Sequence, residues 1–441
     1  MSVFFRTRTD LPRLKPISTR RTQVVSVLDV GSEKMTCLIA RLRPRMESEV
    51  LPERTHLIEV IGVGHQRSRG IKSGTVVDLE AAAQAIRATV DAAERAAGLT
   101  VESLVVSLTA GRLKSFRGRA SMEPIAEIGA SDVAFVTAQA AKLDFDPSRL
   151  ALHSVPIDLA VDGDGGMDNA IGMMGSTLSA DIHVLTAEEA PLRNLETAIN
   201  RAHLVVEAFV ATPYASALST LVEDEAVMGS AAIDMGGGTT TIAIFQNSRF
   251  VYADQVAIGG QHITMDLARG LSIRPADAER LKVVHGSTLA GLSDDGEPIT
   301  IPTLGEEGAD MPVTVSRSVV AKIVRPRVEE ILELVRDRLA ASGLGHVIGK
   351  RVVLTGGASQ LAGLPDTART ILQRNVRLGR PVGVSGLSPA NKSPAFAAAV
   401  GLLIYPQVVH REAVVQPSLA ARMLDQSTRA GRFGTWLKRS I

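Results

Sequence analysis

Apolar positions along this chain follow two periods. Gln23–Val30 (QVVSVLDV), Thr36–Leu42 and Leu57–Val63 are short runs rich in Val, Ile and Leu, and each reads as a strand. Leu79–Ala97 changes to helical spacing in an Ala-rich, acid-rich segment, and Leu104–Thr109 returns to a strand. Residues 103–190 mix short strand candidates with a helix near Asp132–Lys142 and a turn at Asp162–Asp168 (DGDGGMD), so they read as a compact α+β module. Helices are expected over Arg193–Ala202 and Ala215–Leu221, on either side of a strand over His203–Phe209. Ala231–Gln246 (AAIDMGGGTTTIAIFQ) is strand, Gly-rich turn, strand.

The clearest helix is Pro326–Ala341, with Val328, Ile331, Leu332, Val335 and Leu339 on one face and Pro326 suited to its first turn. Residues 290–311 hold six acids and no bases and read as an exposed loop or hairpin. Ser393–Val409 carries no charge or His, but it is 17 residues long, polar at its start and broken by Pro406. It therefore reads as a buried helix, not a membrane span. Residues 411–428 show no hydrophobic period and read as a linker.

Composition removes several classes. With 441 residues, 45% hydrophobic and 22% charged, the chain has ample length for a large core and is not a disordered or fibrous polymer. A net charge of +1 argues against nucleic acid as partner. The single cysteine, Cys37, permits no disulfide within the chain and no cysteine-based zinc site. Residues 1–22 hold six basic residues and one acid with no apolar stretch, so a mobile basic tail is expected and a secretory signal is not. A cytoplasmic protein is the default expectation.

The informative feature is a duplication. Leu28–Thr36 (LDVGSEKMT) and Ile233–Thr241 (IDMGGGTTT) align without gaps, 205 residues apart. Each is an apolar strand ending in Asp-x-Gly, then a small-residue turn, then a second strand. Such a turn can point successive backbone N–H groups at an anion, and glycine lets a phosphate approach where a Cβ would block it. An Asp at the strand end can hold a magnesium ion through its water shell. Two such turns on related domains would clamp a polyphosphate.

A third element fits the pair. Arg351–Gly357 (RVVLTGG) is a strand running into Gly356 and Gly357, where a base or ribose could lie on bare backbone at a helix start. No P-loop exists, because Gly349-Lys350 is followed by Arg351 and position 344 is Leu. Gly62-x-Gly64 lacks the third glycine of a dinucleotide fingerprint.

These motifs resemble the actin/Hsp70/sugar-kinase ATPase superfamily, and within it the FtsA family of bacterial cell-division proteins. The resemblance covers about residues 23–405 and the extreme C-terminus. It is carried by Leu28–Lys34, Val206–Leu218, Ile233–Thr241, Glu279-Arg-Leu-Lys282, Leu354–Leu364 and His153-Ser-Val-Pro…Gly172-Met-Met-Gly…Asp181-Ile-His183. It implies an α/β, actin-like two-lobed ATPase fold with duplicated sheet-and-helix domains and an FtsA-type inserted α+β subdomain.

The implied division of the chain is a flexible tail over 1–22, subdomain 1A over 23–102 with 191–230 and 385–405, and subdomain 1C over 103–190. Subdomain 2A follows over 231–271 with 346–384, then subdomain 2B over 272–345, a linker over 406–428 and an amphipathic membrane-targeting helix over 429–441.

Carried onto this sequence, the resemblance implies ATP and Mg2+ as cofactors. Gly31, Ser32 and Lys34 would line one phosphate side and Gly236, Gly237, Gly238, Thr239 and Thr240 the other. Asp29 and Asp234 would position magnesium and its waters. Glu279 and Lys282, one turn apart, would contact ribose and base, and Gly356 and Gly357 the adenosine. Active relatives place a Glu or Gln before the connecting helix, where this chain has Thr212 within Val210–Ala215. A threonine can hold a water but is a poor base, so tight binding with slow or negligible hydrolysis is expected.

The C-terminus adds a separate signal. Phe433, Trp436, Leu437 and Ile441 fall on one helical stripe, with Arg432, Lys438 and Arg439 off it, and no acid follows Asp425. This is the composition of an interfacial helix, each base adding about 1 kcal/mol at an anionic leaflet. Stable attachment should need several copies side by side.

The resemblance therefore implies a homopolymer on anionic inner-membrane lipids at the division septum. It would bind the C-terminal peptide of FtsZ through residues 272–345 and help recruit later division proteins. A small-molecule or sugar kinase of the same superfamily and an actin-like pilus-assembly protein are the alternative readings.

Overall fold

The computed structural model describes residues 11–18, 20–45, 54–289, 298–302 and 312–413. The chain opens with β1 (Gln23–Val30), β2 (Lys34–Pro44) and β3 (His56–Arg67), a small ribbon of β4 (Ile71–Lys72) and β5 (Thr75–Val76), helix α1 (Leu79–Ala97) and β6 (Ser103–Leu108). An inserted module follows: β7 (Lys114–Met122), α2 (Ala130–Ala140), β8 (Arg149–Val161) and β9 (Leu178–Glu188). Then come α3 (Glu189–Arg201), β10 (Val205–Ala211), α4 (Thr212–Thr220) and α5 (Glu223–Met228).

The second half runs β11 (Ser230–Met235), β12 (Thr240–Gln246), β13 (Arg249–Val256), α6 (Gly260–Gly270) and α7 (Pro275–His285). It continues with β14 (Pro298–Pro302), β15 (Pro312–Ser316), α8 (Arg317–Ala341), β16 (Arg351–Thr355), α9 (Leu364–Leu372), β17 (Asn375–Leu378), β18 (Val384–Ser385) and α10 (Ala397–Val408).

The duplication seen in the sequence is a duplication of topology. One sheet has the order β10-β6-β1-β2-β3-β18 and the other β13-β12-β11-β16-β17. Each is an antiparallel three-strand meander whose first strand also pairs in parallel with a later strand, and that with one more. The two meanders even share a register: Asp29 pairs with Thr36 and Leu28 with Cys37, while Asp234 pairs with Thr241 and Ile233 with Ile242. Strands buried on both faces read as unbroken apolar runs, which is why β1 and β11 carry so little alternation.

Three apolar clusters form among the described residues. The largest joins the first sheet to α1, α3, α4 and α10; a second joins the other sheet to α6, α8 and α9; a third lies under the β7-β9-β8 sheet and α2. Helix α10 is buried along its whole length, as its uncharged sequence predicts. Among the described residues no helix is long and apolar enough to cross a membrane.

Several sequence expectations give way here. The basic N-terminal segment, expected to be a mobile tail, packs inward at Leu11, Leu14 and Ile17 against the largest cluster. Ser103–Leu108 lies in the first sheet, paired with β1 and β10, and not in the inserted module. Helix α8 begins at Arg317, because Val320, Ala321 and Val324 extend its buried stripe backwards, and Pro326 is an interior residue that forgoes one backbone bond. Residues 406–413 are not linker: Pro406, Gln407 and Val408 are buried in α10. One expectation holds in its hairpin form: the acidic 290–311 stretch supplies β14, the first strand of the β14–β15 hairpin, although Ile299 and Ile301 are buried.

His183 ties the inserted module to the second half. Its Nδ1 faces Phe250 O at 2.9 Å and its Nε2 faces Ser115 Oγ at 2.9 Å, with no solvent exposure. Burial pushes this imidazole down from 6.5 to about 3, against the smaller upward pull of the Phe250 carbonyl. The unfolded chain therefore binds a proton between those values that the folded chain refuses, so stability is full above 6.5 and falls with pH below it. The expected slope from this one group is about 1.4 kcal/mol per pH unit. Denaturant titrations at pH 6.5 and 4.5 should show the loss, and His183→Gln should flatten it. An unchanged slope in the variant would reject the assignment.

Candidate functional site

The two Asp-x-Gly turns meet in one cavity of about 210 Å³ between the sheets. Each turn closes with the same bond, Gly31 N–H to Lys34 O at 3.1 Å and Gly236 N–H to Thr239 O at 2.9 Å. The first is braced from the β3–β4 connection, where Ser68 Oγ donates to Gly31 O at 2.6 Å, and from the β4–β5 turn, where the Gly74 N–H donates to Ser32 Oγ at 3.1 Å. The second is braced by the start of α6, where Gly260 and Gln261 N–H groups donate to Gly236 O and Gly237 O at 2.9 and 2.8 Å. The turns also touch each other. A Cβ on Gly238 would lie 2.6 Å from Ser32 Oγ, and Gln261 Nε2 donates to Glu33 Oε1 across the gap.

The carboxylates sit at the floor, at matching strand ends. Ser107 Oγ donates to Asp29 Oδ1 at 2.8 Å, and Ser216 Oγ donates to Asp234 Oδ2. Burial pushes both acids up, Asp234 to about 6, despite those hydroxyls, and the neighbouring Asp29 charge raises Asp234 further. Lys34 lies beside them, its Nζ donating to Ala395 O at 3.1 Å and standing 3.4 Å from the centre of the Phe396 ring. Burial holds that ammonium down, with Asp29 partly restoring it. The result is two desolvated carboxylates with too little positive charge beside them, roofed by two glycine turns. Such a site favours a cation and a bound anion together.

The third element closes one wall. Gly356 has φ +85°, and a Cβ there would lie 2.2 Å from Asp234 Oδ1, so only glycine fits. The segment after it is a 3₁₀ turn over Gly357–Gln360, and the α-helix starts later, at Leu364.

Asp29, Gly31, Ser32, Lys34, Asp234, Gly236, Gly237, Thr239, Gly356 and Gly357 all line the cavity. Gly238 stands behind it against Ser32 and Ser73, and Thr240 is buried with its Oγ1 donating to Ile258 O at 2.8 Å. Glu279 and Lys282 pair with each other at 2.6 Å on α7, outside the lining, with Lys282 Nζ also donating to Thr264 Oγ1 and Gly260 O at 2.9 and 3.2 Å. Thr212 opens α4 in the cavity wall, 2.6 Å from Thr109 Oγ1.

Glu33, inside the first Asp-x-Gly motif but given no role there, also lines the cavity, as do Thr109 and the Pro394–Ala395 pair, which no motif announced. The stripe of Phe433, Trp436, Leu437, Lys438, Arg439 and Ile441 lies outside the described residues. Among the described residues no three or more His, Cys, Asp or Glu side chains cluster as metal ligands, so Asp29 and Asp234 stand as a pair.

Known proteins resemble this chain in sequence and in fold. The family model for cell division protein FtsA matches residues 231–401, and the model for the SHS2 domain inserted in FtsA matches residues 111–186. The chain is similar to cell division protein FtsA of Rhizobium meliloti (strain 1021), 54% identical over 442 residues that span the whole of both chains. Among solved structures it is similar to one titled PilM-PilN type IV pilus biogenesis complex, with a TM-score of 0.59 at 15% identity, covering 89% of this chain and 99% of that one. It is also similar to MreB 5 of Spiroplasma citri bound to AMPPNP, with a TM-score of 0.50 at 12% identity, covering 89% and 98%. Those two likenesses establish a shared actin-like fold.

Proposed function

We propose, for a chain that belongs to the FtsA family of cell-division proteins, a nucleotide-clamped scaffold that attaches the division machinery to the membrane. A role in cell division follows from the family itself. The observation that carries the finer reading is the pair of Asp-x-Gly turns, in one register, facing each other across a single cavity.

ATP with Mg2+ fits that cavity on the chemistry of its donors. Two buried carboxylates lacking compensation suit a divalent ion that keeps water and phosphate oxygens in its shell. When bound, the ion would neutralise phosphate charge. The chain's own part is to hold it from Asp29 and Asp234, to offer turn backbone at Gly31 and Gly236–Thr239, and to set Lys34 against a phosphate. Thr212 supplies no strong base at the floor, which supports slow hydrolysis. ATP then acts as an assembly ligand, stabilising the closed cleft by mass action.

On this reading the protein polymerises at the septum on the inner face of the cytoplasmic membrane. Residues 429–441 contact anionic lipids, and residues 272–345 receive the C-terminal peptide of FtsZ. Later division proteins assemble on the polymer.

The test is sedimentation with phosphatidylglycerol vesicles of the full chain and of a version ending at Thr428, each with and without Mg·ATP, with turnover followed in parallel. Only the full chain should pellet, more so with ATP, at a turnover below about 1 per second. Equal pelleting of both versions, or of neither, would sink the membrane reading, and faster turnover would sink the assembly-ligand role.

A further inference from the structure

The end of the described chain is fastened to the fold through both side chain and backbone, Glu412 also accepting from the Tyr405 hydroxyl. Glu412 Oε1 lies 2.9 Å from His153 Nδ1. The Ala413 N–H donates to Ser154 O at 2.7 Å, and the Ala413 carbonyl accepts from Arg13 Nη1 at 3.1 Å. His153 stands on β8 without solvent exposure, with the rings of Tyr214 and Tyr405 edge-on at 5.1 and 5.7 Å.

The other side of that imidazole reaches the cavity wall. The backbone N–H of Ala211 is directed at His153 Nε2 at 2.9 Å. A backbone N–H can only donate, so Nε2 carries the lone pair and Nδ1 carries the proton, which it gives to Glu412. Ala211 immediately precedes Thr212, the first residue of α4, and one turn further on Ser216 holds Asp234. A single ring therefore links residues 409–413 to the helix that places Thr212 in the cavity wall and Ser216 against Asp234.

We propose that Glu412 and His153 are a positioning pair that makes docking of the 409–413 strap and nucleotide binding mutually stabilising. This rests on the nucleotide reading above. With the strap docked, Glu412 fixes both the tautomer and the tilt of the ring, and the ring holds the start of α4 where Thr212 and Ser216 meet the cavity. With the strap away, the Nδ1–H loses its acceptor and the Ala211 N–H alone favours that tautomer. The ring is then free to tilt or to take the alternative form, which would set an N–H against the Ala211 N–H and release the start of α4. Because coupling of this kind is reciprocal, bound nucleotide also holds the strap.

The experiment measures affinity for a fluorescent ATP analogue with Mg2+ on the full chain carrying Glu412→Ala or Glu412→Gln. The alanine should weaken binding about 3- to 10-fold, in line with ordinary coupling between sites. The glutamine, whose amide oxygen still accepts from Nδ1–H, should stay within about twofold of wild type. Hydrogen exchange without nucleotide should show faster exchange over residues 209–214 in the alanine variant alone, with β11 unchanged. Wild-type affinity in Glu412→Ala, or equal weakening by both substitutions, would overturn the pairing. If wild type bound no nucleotide, the functional reading would fall, and unaltered exchange over 209–214 would separately reject the positioning pair.

Discussion

Replacing Asp234 with asparagine should raise the melting temperature of the nucleotide-free protein while removing the Mg2+-dependent nucleotide binding proposed for the cavity. The first half follows from burial. Asp234 is 9% exposed, shares its surroundings with Asp29 and is pushed up from 3.8 to about 6. The folded chain therefore holds more protons than the unfolded chain between those values. Stability falls as pH rises through that window, and the full cost is present above 6. A shift of that size corresponds to about 3 kcal/mol at neutral pH.

Asparagine keeps an oxygen for the Ser216 hydroxyl and carries no charge, so most of that cost should be regained as a rise of several degrees. The second half follows because Asp29 is then the one carboxylate of the pair left to attract a divalent ion. Loss of one partner in such a charge-assisted contact corresponds to about 100-fold in affinity. Differential scanning fluorimetry with and without Mg·ATP reads both effects at pH 7.5. A lower melting point without nucleotide, or a ligand-induced shift as large as in wild type, would reject the view that Asp234 is strained for ligand binding.

The part of this site that was legible in the sequence is the part built from neighbours in the chain. An Asp-x-Gly turn between two apolar runs is local, and its repetition after 205 residues was enough to expect paired sheets. What holds the carboxylates was not legible. Ser107 reaches Asp29 from another strand and Ser216 reaches Asp234 from a helix, and an isolated serine announces neither partner.

Leu11, Leu14 and Ile17 are hidden among basic residues, because three apolar side chains show no period until the surface that covers them is known. Ser103–Leu108 is recognisable as a strand but not assignable to a sheet, since an apolar strand carries no mark of its partner. The chain after Val408 reads as linker for the same reason: its anchors, His153 and Ser154, lie some 250 residues away.

The crossing of α4 and α10 gives the largest expected loss of stability from one methyl group. Gly401 lies where these helices touch, and a Cβ there would stand 1.7 Å from Ala215 O, backbone that cannot rotate aside. Ser219 Oγ donates to Ala397 O at 2.7 Å in the same contact, so the helices cannot separate without breaking a buried bond. Gly401→Ala should therefore cost about 3 kcal/mol or more, the upper end for overpacking.

Relief requires α4 to move, and α4 carries both Thr212 and Ser216, so nucleotide affinity should fall by about tenfold with it. Gly98→Ala is the matched control. Gly98 has φ +66°, and a methyl group there would find nothing within 4 Å, so it meets backbone strain alone, about 1 kcal/mol, and leaves the cavity untouched. Melting curves and analogue binding on both variants separate the two costs. Equal melting points for the two, or unaltered affinity in Gly401→Ala despite a lowered melting point, would show that α4 is free to shift without disturbing the floor it forms.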